Sequence, residues 1–337
     1  MGSGVLNTID LAIGYRGRSG NNSVLHKGIN VSLPDGELVC LLGRNGSGKS
    51  TLIRTLSGFQ PVLGGRIEID GRDIKHVLPR DLSKMVSVVL TTQPDLSGLT
   101  AFAVVAFGRS PYTGFLGRLN KDDYRIVEES LDNAGILPLG NNRFDQLSDG
   151  EKQKVMIARS LAQETPLIFL DEPTAYLDYP SKVEIIRLLR ETTRNKGKSV
   201  LLSTHDLNLA MGFADRIWLM AKDKPLITGI PEDLVLDDHF TGYFSSPNTS
   251  FDKLSGSFIF NPEKVGEVYL DGVGLRYDWL LRSLKRLGFE VLPTHSDVKR
   301  KGIPYIQVVN DTFVVHVFDE TYKLRAIEDV LNKILDR

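Results

Sequence analysis

The run Gly43-Arg44-Asn45-Gly46-Ser47-Gly48-Lys49-Ser50 decides the fold, and Thr51 follows it directly. Its spacing is that of a phosphate-binding loop: a first glycine, four residues, then Gly-Lys-Ser. The context agrees. Leu38–Leu42 is a continuous apolar run, as expected of a strand buried on both faces, and the residues from Lys49 to Leu56 read as a helix. Glycines let backbone N–H groups converge on phosphates, and the helix N-terminus adds its dipole. Lys49 is expected on the β and γ phosphates of a nucleotide and Ser50 on Mg²⁺.

Working outward, Leu167-Ile168-Phe169-Leu170-Asp171-Glu172-Pro173 is a second buried strand with an acidic end. An acidic pair there could merely cap a helix. Beside a phosphate loop it has a sharper reading. Asp171 is expected to contact Mg²⁺ through water, and Glu172 to orient or deprotonate an attacking water. Ser199–Ser203 reads as a third buried strand, with helices at Lys152–Gln163, Lys182–Thr193 and Leu207–Phe213. Strands alternating with helices predict a largely parallel α/β sheet. Leu6–Ile13 and Ile29–Leu33 suggest an antiparallel lobe ahead of it, Arg66–Ile69 and Val86–Leu90 read as further strands, and Ala101–Gly135 as a helical lobe.

Composition narrows the class. The chain has 337 residues, enough for about two domains. Lys plus Arg is 41 against 42 for Asp plus Glu, a net charge of -1, which gives no electrostatic case for binding nucleic acid. No apolar run reaches the roughly 18 residues of a spanning helix, and the first residues have neither the basic start nor the apolar core of a signal peptide. The single cysteine, Cys40, excludes an internal disulfide and fits a reducing compartment. It lies in an apolar run and reads as an inert core residue. Both tryptophans, Trp218 and Trp279, read as core.

Between the phosphate loop and the acidic strand lies Leu147-Ser148-Asp149-Gly150-Glu151, followed by a helix beginning Lys152-Gln153-Lys154. Here the chain resembles the ATPase subunit of ABC transporters, over about residues 5–240. The resemblance implies a P-loop NTPase fold of the ABC ATPase type, with an antiparallel β lobe and a helical lobe, and ATP and Mg²⁺ as ligands. Tyr15 matches the aromatic that stacks on adenine. Gly43, Asn45, Gly46, Ser47, Gly48, Lys49, Ser50 and Thr51 form the phosphate loop. Gln93 matches the glutamine that reaches the metal and links the nucleotide to the membrane partner. His205, in Leu202-Ser203-Thr204-His205-Asp206, matches the switch histidine. Asp178, in Thr174-Ala175-Tyr176-Leu177-Asp178, lies in the loop where two subunits touch. In the family, the backbone of the signature segment, here Ser148, Gly150 and Glu151, meets the γ-phosphate bound to the other subunit. This chain has Asp149 where the family has glycine, and Asp149 is expected to cap the following helix. With a single set of motifs, the resemblance implies a head-to-tail dimer enclosing two ATPs.

Ala106-Phe107-Gly108-Arg109-Ser110-Pro111-Tyr112, Gly117–Asp122 and Ser160-Leu161-Ala162-Gln163 resemble the importer branch that carries iron–siderophore complexes, haem and cobalamin. The expectation is therefore an ATP hydrolase docked on permease subunits at the cytoplasmic face of the plasma membrane, peripheral, with a substrate-binding protein in the assembled system. The alternatives are the ATPase subunit of an exporter and a soluble ABC ATPase such as an iron–sulfur assembly factor.

The domain plan expected is an ATPase domain over 1–240, a linker over 241–263 marked by the polar stretch at 245–249, and a small α+β domain over 264–337. That last unit reads strand, helix, strand, strand, strand, helix, with its final helix at Lys323–Leu335, and its position suggests a regulatory or dimerising role. His295 and His316 lack metal-site spacing, and Lys299-Arg300-Lys301 reads as a solvated loop.

Overall fold

The computed structural model describes residues 4–17, 21–91, 95–114, 117–244, 249–253, 255–292, 302–318 and 320–335. The chain divides into two compact units, 1–244 and 245–337.

The first unit opens with β1 (Leu6–Tyr15), β2 (Ser23–Ile29) and the short β3 (Ser32–Leu33), then enters the core through β4 (Leu38–Leu42). The expected strand Ile29–Leu33 is thus split in two. Residues 30 and 31 separate the pieces, and Gly28, with a left-handed backbone, sits where the β1–β2 register shifts between His26 and Ile29. After α1 (Lys49–Leu56), β5 (Gly64–Ile69) and β6 (Arg72–Asp73) complete an antiparallel sheet of order β2-β1-β5-β6, with β3 also on β1. A short helix α2 (Pro79–Leu82) leads to β7 (Val86–Val89). The helical lobe follows: α3 (Ala101–Ala106), α4 (Lys121–Asn133) and α5 (Asp149–Ala162). The chain returns through β8 (Leu167–Asp171), α6 (Tyr179–Lys196), β9 (Ser199–Thr204), α7 (Leu207–Phe213), β10 (Arg216–Leu219) and β11 (Ile227–Gly229), and ends in α8 (Pro231–Leu236) and α9 (His239–Phe244).

The main sheet has the order β11-β10-β4-β9-β8-β7. All neighbours are parallel except the antiparallel edge strand β11. Every residue of β4, β8 and β9 is buried, which accounts for their unbroken apolar runs. One apolar core joins the two sheets: Leu41, Leu52, Phe169, Leu201 and Trp218 pack with Ile13, Leu33 and Ile67. Burial, with Asp215 second, pushes the Cys40 thiol up to about 12, so it is inert.

The second unit begins with the hairpin β12 (Thr249–Asp252) and β13 (Ser257–Phe260), inside the stretch expected as linker. Phe251 and Phe258 meet edge-on across it at 5.3 Å, and Gly256 closes its turn on the Asp252 carbonyl. The polar residues 245–248 lie outside the described residues, as do His295 and Lys299-Arg300-Lys301. Then come β14 (Gly266–Asp271), α10 (Leu275–Arg286), β15 (Phe289–Leu292), β16 (Tyr305–Val309), β17 (Thr312–Val317), β18 (Glu320–Leu324) and α11 (Ile327–Leu335). The sheet order is β15-β14-β16-β17-β18. Strand β18 replaces the first turn of the expected last helix, because Tyr322 and Leu324 alternate onto the core. Both helices pack on one face, through Leu280, Leu284, Val330 and Ile334. Trp279, unlike Trp218, is not in the core: it is 54% exposed, with Arg282 over its ring. It falls off the stripe of Leu280, Leu284 and Leu287 that faces the sheet.

Candidate nucleotide site

Strands β4, β9 and β8 are adjacent and parallel, so their C-terminal ends lie along one edge. The chemistry-bearing residues project from that edge. After β4 the loop turns into α1 with Gly46 and Gly48 at φ 77° and 101°, where only glycine is unstrained. Gly43 is required for another reason: a Cβ there would lie 2.4 Å from the Met220 carbonyl oxygen and 2.5 Å from Ser47 Oγ.

Lys49 is buried, and its ammonium donates to the carbonyls of Gly43 (2.9 Å) and Arg44 (3.3 Å). It also lies 3.5 Å from Glu172 Oε1. Ser50 Oγ donates to Asp171 Oδ1 at 2.9 Å. The same carboxylate oxygen accepts from Ser203 Oγ at 2.8 Å, while Ser203 Oγ accepts the Glu172 N–H at 2.9 Å. One hydroxyl on β9 therefore fixes both acids. Glu172 has φ 50°, a left-handed backbone that turns its side chain back over the sheet edge. Its other oxygen, Oε2, lies 3.5 Å from Nδ1 of His205, a half-exposed ring. Thr91 Oγ1 donates to the Asp171 carbonyl at 2.7 Å.

Tyr15 stands 53% exposed at the end of β1, and its hydroxyl pairs with Thr51 Oγ1 at 3.1 Å. The phosphate loop, Lys49, Ser50, Asp171, Glu172 and His205 are thus brought together as the sequence suggested, while Gln93 lies outside the described residues. Two contributors went unread. Ser203 sits inside the quoted Leu202–Asp206 segment, two residues before His205. His26, buried on β2, contacts the Ser47 carbonyl.

The signature segment differs from expectation in one respect. Ser148, not Asp149, caps α5. Its hydroxyl accepts the Glu151 N–H, and the Glu151 carboxylate takes the Ser148 N–H at 2.8 Å, a reciprocal capping box. Those hydrogen bonds hold the Glu151 carboxyl below the usual range. Asp149 occupies the first helical position, 76% exposed, with Lys152 at 3.7 Å. Asp178 caps α6 by accepting the Ser181 N–H at 3.1 Å, and the Ser181 hydroxyl together with that N–H lowers its pKa. A cavity of about 290 Å³ lies between Asp149, Lys152, Glu172 and Tyr176. A larger cleft of about 830 Å³ is lined by Phe59, Leu82, Val88, Phe107, Arg159 and Gln163. It contains none of the loop or acidic groups, so size does not mark the site.

In the helical lobe the motif residues form a clamp. Arg109, buried, pairs with the buried Asp123 at 2.8 Å, with Glu164 at 2.7 Å and with the Ala162 carbonyl at 2.7 Å. Tyr112 covers its guanidinium at 4.2 Å and donates to the Gln163 carbonyl at 3.0 Å. A Cβ at Gly108 would sit 2.3 Å from the Arg159 carbonyl oxygen. Residues 106–112 and 160–163, remote in sequence, are one unit holding the C-terminal end of α5.

A parallel sheet with a phosphate loop after β4, and an acidic pair after β8, the next strand but one, defines a P-loop ATPase. Residues 26–175 match the ABC transporter family. An uncharacterized ABC transporter ATP-binding protein of Methanocaldococcus jannaschii is 35% identical over 293 residues, covering 86% of this chain and 99% of that one. The iron(3+)-hydroxamate import ATP-binding protein FhuC of Bacillus subtilis is 34% identical over 233 residues, 69% of this chain and 85% of its own. Among solved structures, a dimeric post-hydrolysis ATP-binding cassette bound to ADP and Pi superposes with a TM-score of 0.57 at 26% identity, covering 67% of this chain and 98% of that one. The chain belongs to the ABC transporter family, as an ATP-binding subunit whose chemistry is ATP hydrolysis. No helix among the described residues is long and apolar enough to cross a membrane.

Proposed function

We propose that this chain is the Mg²⁺-dependent ATPase subunit of an importer for a metal chelate, working as a head-to-tail dimer on permease subunits at the cytoplasmic membrane face. A substrate-binding protein completes the assembly. The observation that carries the reading is the convergence of Lys49, Ser50, Asp171, Glu172 and His205 on one sheet edge.

The donor set fits the ligands. Ser47 Oγ is buried and has no hydrogen-bond partner among the described residues, an orphan that a phosphate oxygen would satisfy. Ser50 and Asp171 offer hard oxygen ligands of the kind Mg²⁺ takes. Once bound, Mg²⁺ would neutralise charge on the β and γ phosphates. Lys49 holds those phosphates by its ammonium. Glu172 accepts the proton of the attacking water through the oxygen facing His205. His205, half-exposed beside Glu172, keeps that carboxylate aimed at the γ-phosphate. Ser203 fixes the backbone on which both acids stand. Tyr15 stacks on the base, and Gln93 serves the metal and the permease. Ser148, Gly150 and Glu151 present the α5 N-terminus to the ATP of the second copy, and Asp178 lies at the subunit contact.

The cargo class rests on the likeness to the hydroxamate-import subunit and on the Arg109–Tyr112 clamp shared with that branch in the sequence. The permease-facing surface is the larger cleft, where Phe59 and Phe107 stand exposed. The test is uptake of a ferric hydroxamate into vesicles carrying the chain with its companion permease and binding protein. ATP-driven uptake lost in Glu172→Gln is expected. ATPase activity without uptake of any metal chelate would overturn the importer reading and leave the ATPase reading standing.

A further inference from the structure

The phosphate loop is held from behind by a residue outside its own motif. Strand β2 carries His26 opposite Ile13 of β1. The ring is buried, and its Nε2 lies 2.8 Å from the Ser47 carbonyl oxygen. A carbonyl oxygen only accepts, so Nε2 bears the hydrogen and donates. Neutral imidazole in that tautomer and imidazolium both make this bond.

The carbonyl of Ser47 and the N–H of Gly48 belong to one peptide. That unit is planar and trans, so its C=O and N–H point in opposite directions. Tying the carbonyl to β2 aims the Gly48 N–H the other way, off the start of α1. Gly48 has φ 101°, a conformation in which the peptide could otherwise swing with little steric penalty. The ring also forms part of the floor: a Cβ at Gly48 would lie 3.4 Å from His26 Cδ2 and 3.2 Å from Met220 Cε. Ser47 itself is 5% exposed, with the unpartnered Oγ noted above. Its main chain is fastened while its hydroxyl remains available to a ligand.

The same hairpin makes a second attachment, because the Tyr15 hydroxyl on β1 reaches Thr51 Oγ1 in α1. The antiparallel lobe therefore grips the loop at residue 47 and the helix at residue 51. Nothing in the phosphate-loop spacing requires a histidine at position 26, and a purely apolar residue there would leave the Ser47 carbonyl buried without this donor.

We propose that His26 is a positioning residue of the nucleotide site, setting the Ser47–Gly48 peptide so that the loop is ready for the β-phosphate. The inference takes the nucleotide reading of the loop as given and adds a residue to it. It is tested with His26→Ala, His26→Leu and His26→Gln, because a glutamine Nε2 can take the place of the ring Nε2. Equilibrium binding of MgATP is measured in the Glu172→Gln background, with inorganic pyrophosphate as competitor. Losing the donor is expected to weaken MgATP and pyrophosphate alike by about tenfold in the Ala and Leu variants. Glutamine should restore both to within about threefold. In the Glu172-containing protein, KM should rise while kcat changes less than about twofold, since ground state and transition state lose the same contact. A residue that served stability alone would lower the thermal midpoint and leave pyrophosphate affinity in the folded fraction unchanged. That result, or a glutamine variant no better than leucine, overturns the proposal. If His26→Ala does not fold, the Gln and Leu pair decides. A parent protein that binds neither MgATP nor pyrophosphate would instead overturn the nucleotide reading itself.

Discussion

Glu172→Gln isolates the chemical step. Glutamine has the same length, and the backbone bond from the residue 172 N–H to Ser203 Oγ does not involve the side chain. What disappears is the negative charge, with its contacts to Lys49 and His205 at 3.5 Å each. The Glu172 side chain is 23% exposed and both contacts are longer than a charge-assisted hydrogen bond. Their loss should therefore cost stability no more than about 1 kcal/mol. Removing a general base should slow turnover by roughly 10²–10⁴-fold, or about 2.7–5.4 kcal/mol of barrier. The two effects differ enough to be separated. Phosphate release at saturating MgATP measures the first, thermal unfolding the second. ATP affinity should persist, and the variant should form a dimer on adding ATP, because the γ-phosphate is retained. Turnover within a few-fold of the parent would remove Glu172 from the mechanism. Loss of turnover together with loss of ATP binding would mean that the carboxylate works by holding Lys49.

Asp149→Gly should preserve or raise ATPase activity, since Ser148 carries the cap and Asp149 contributes only its place in the first turn and a long, exposed contact with Lys152; a loss above tenfold in folded protein would give Asp149 a positive role. Arg109→Ala strands the buried Asp123 carboxylate and should cost about 3–5 kcal/mol, a drop of roughly 10 °C in the thermal midpoint of the first unit; a midpoint unchanged within about 2 °C would refute the clamp. Burial pushes the Asp123 carboxyl up, but the Asn120 N–H and Arg109 outweigh it and leave its pKa below the ordinary value. The stability it contributes is therefore complete above about pH 4 and is lost as pH falls through the lower folded value; Asp123→Asn should flatten that acid limb in a pH titration of unfolding. A chain ending at Phe244 should fold, bind ATP and dimerise, because all the phosphate, acid and signature groups precede it; an insoluble or ATP-blind product would show that the first unit needs the second.

What could be read in the sequence was what is contiguous. The phosphate loop, the strand ending in Asp171-Glu172 and the segment holding His205 each carry their meaning within eight residues, and the buried strands announce themselves by unbroken apolar runs. Contacts created by strand register were invisible. Ser203 matters because β9 lies beside β8 and pairs Ser203 with Asp171, and His26 because β2 passes behind the loop. Arg109 was noticed as part of a motif, but its acid partners lie 14 and 55 residues away, so only the fold reveals a clamp. Polar strands such as Glu320–Leu324 gave a weak alternation next to a strong helix, and the helix absorbed them. Residue type alone puts Trp279 in the core, whereas helical spacing from Leu280 and Leu284 puts it to one side.

The clamp and the signature segment are the two ends of one helix. Helix α5 has 14 residues, about 21 Å at 1.5 Å per residue. Its N-terminal end carries Ser148, Asp149, Gly150 and Glu151. Its C-terminal end contributes Arg159 and Gln163 to the larger cleft, where Arg159 also bonds the Val88 carbonyl and Gln163 the Ser83 and Val86 carbonyls. A partner seated in that cleft would therefore act on one end of a rod whose other end, in the proposed dimer, faces the second copy's phosphate. For such a push to arrive, the loaded end must not fray. Arg109, through the Ala162 carbonyl, and Tyr112, through the Gln163 carbonyl, satisfy the terminal carbonyls that would otherwise loosen the last turn. Asp123 ties the same guanidinium to the start of α4, so one side chain links α4 to the end of α5. On this argument Arg109→Lys, which keeps a charge but loses the fork that spans carbonyl and carboxylates, should leave basal ATPase activity close to the parent's and reduce its stimulation by the permease. Equal loss of basal and stimulated rates would mean that the clamp supports folding alone.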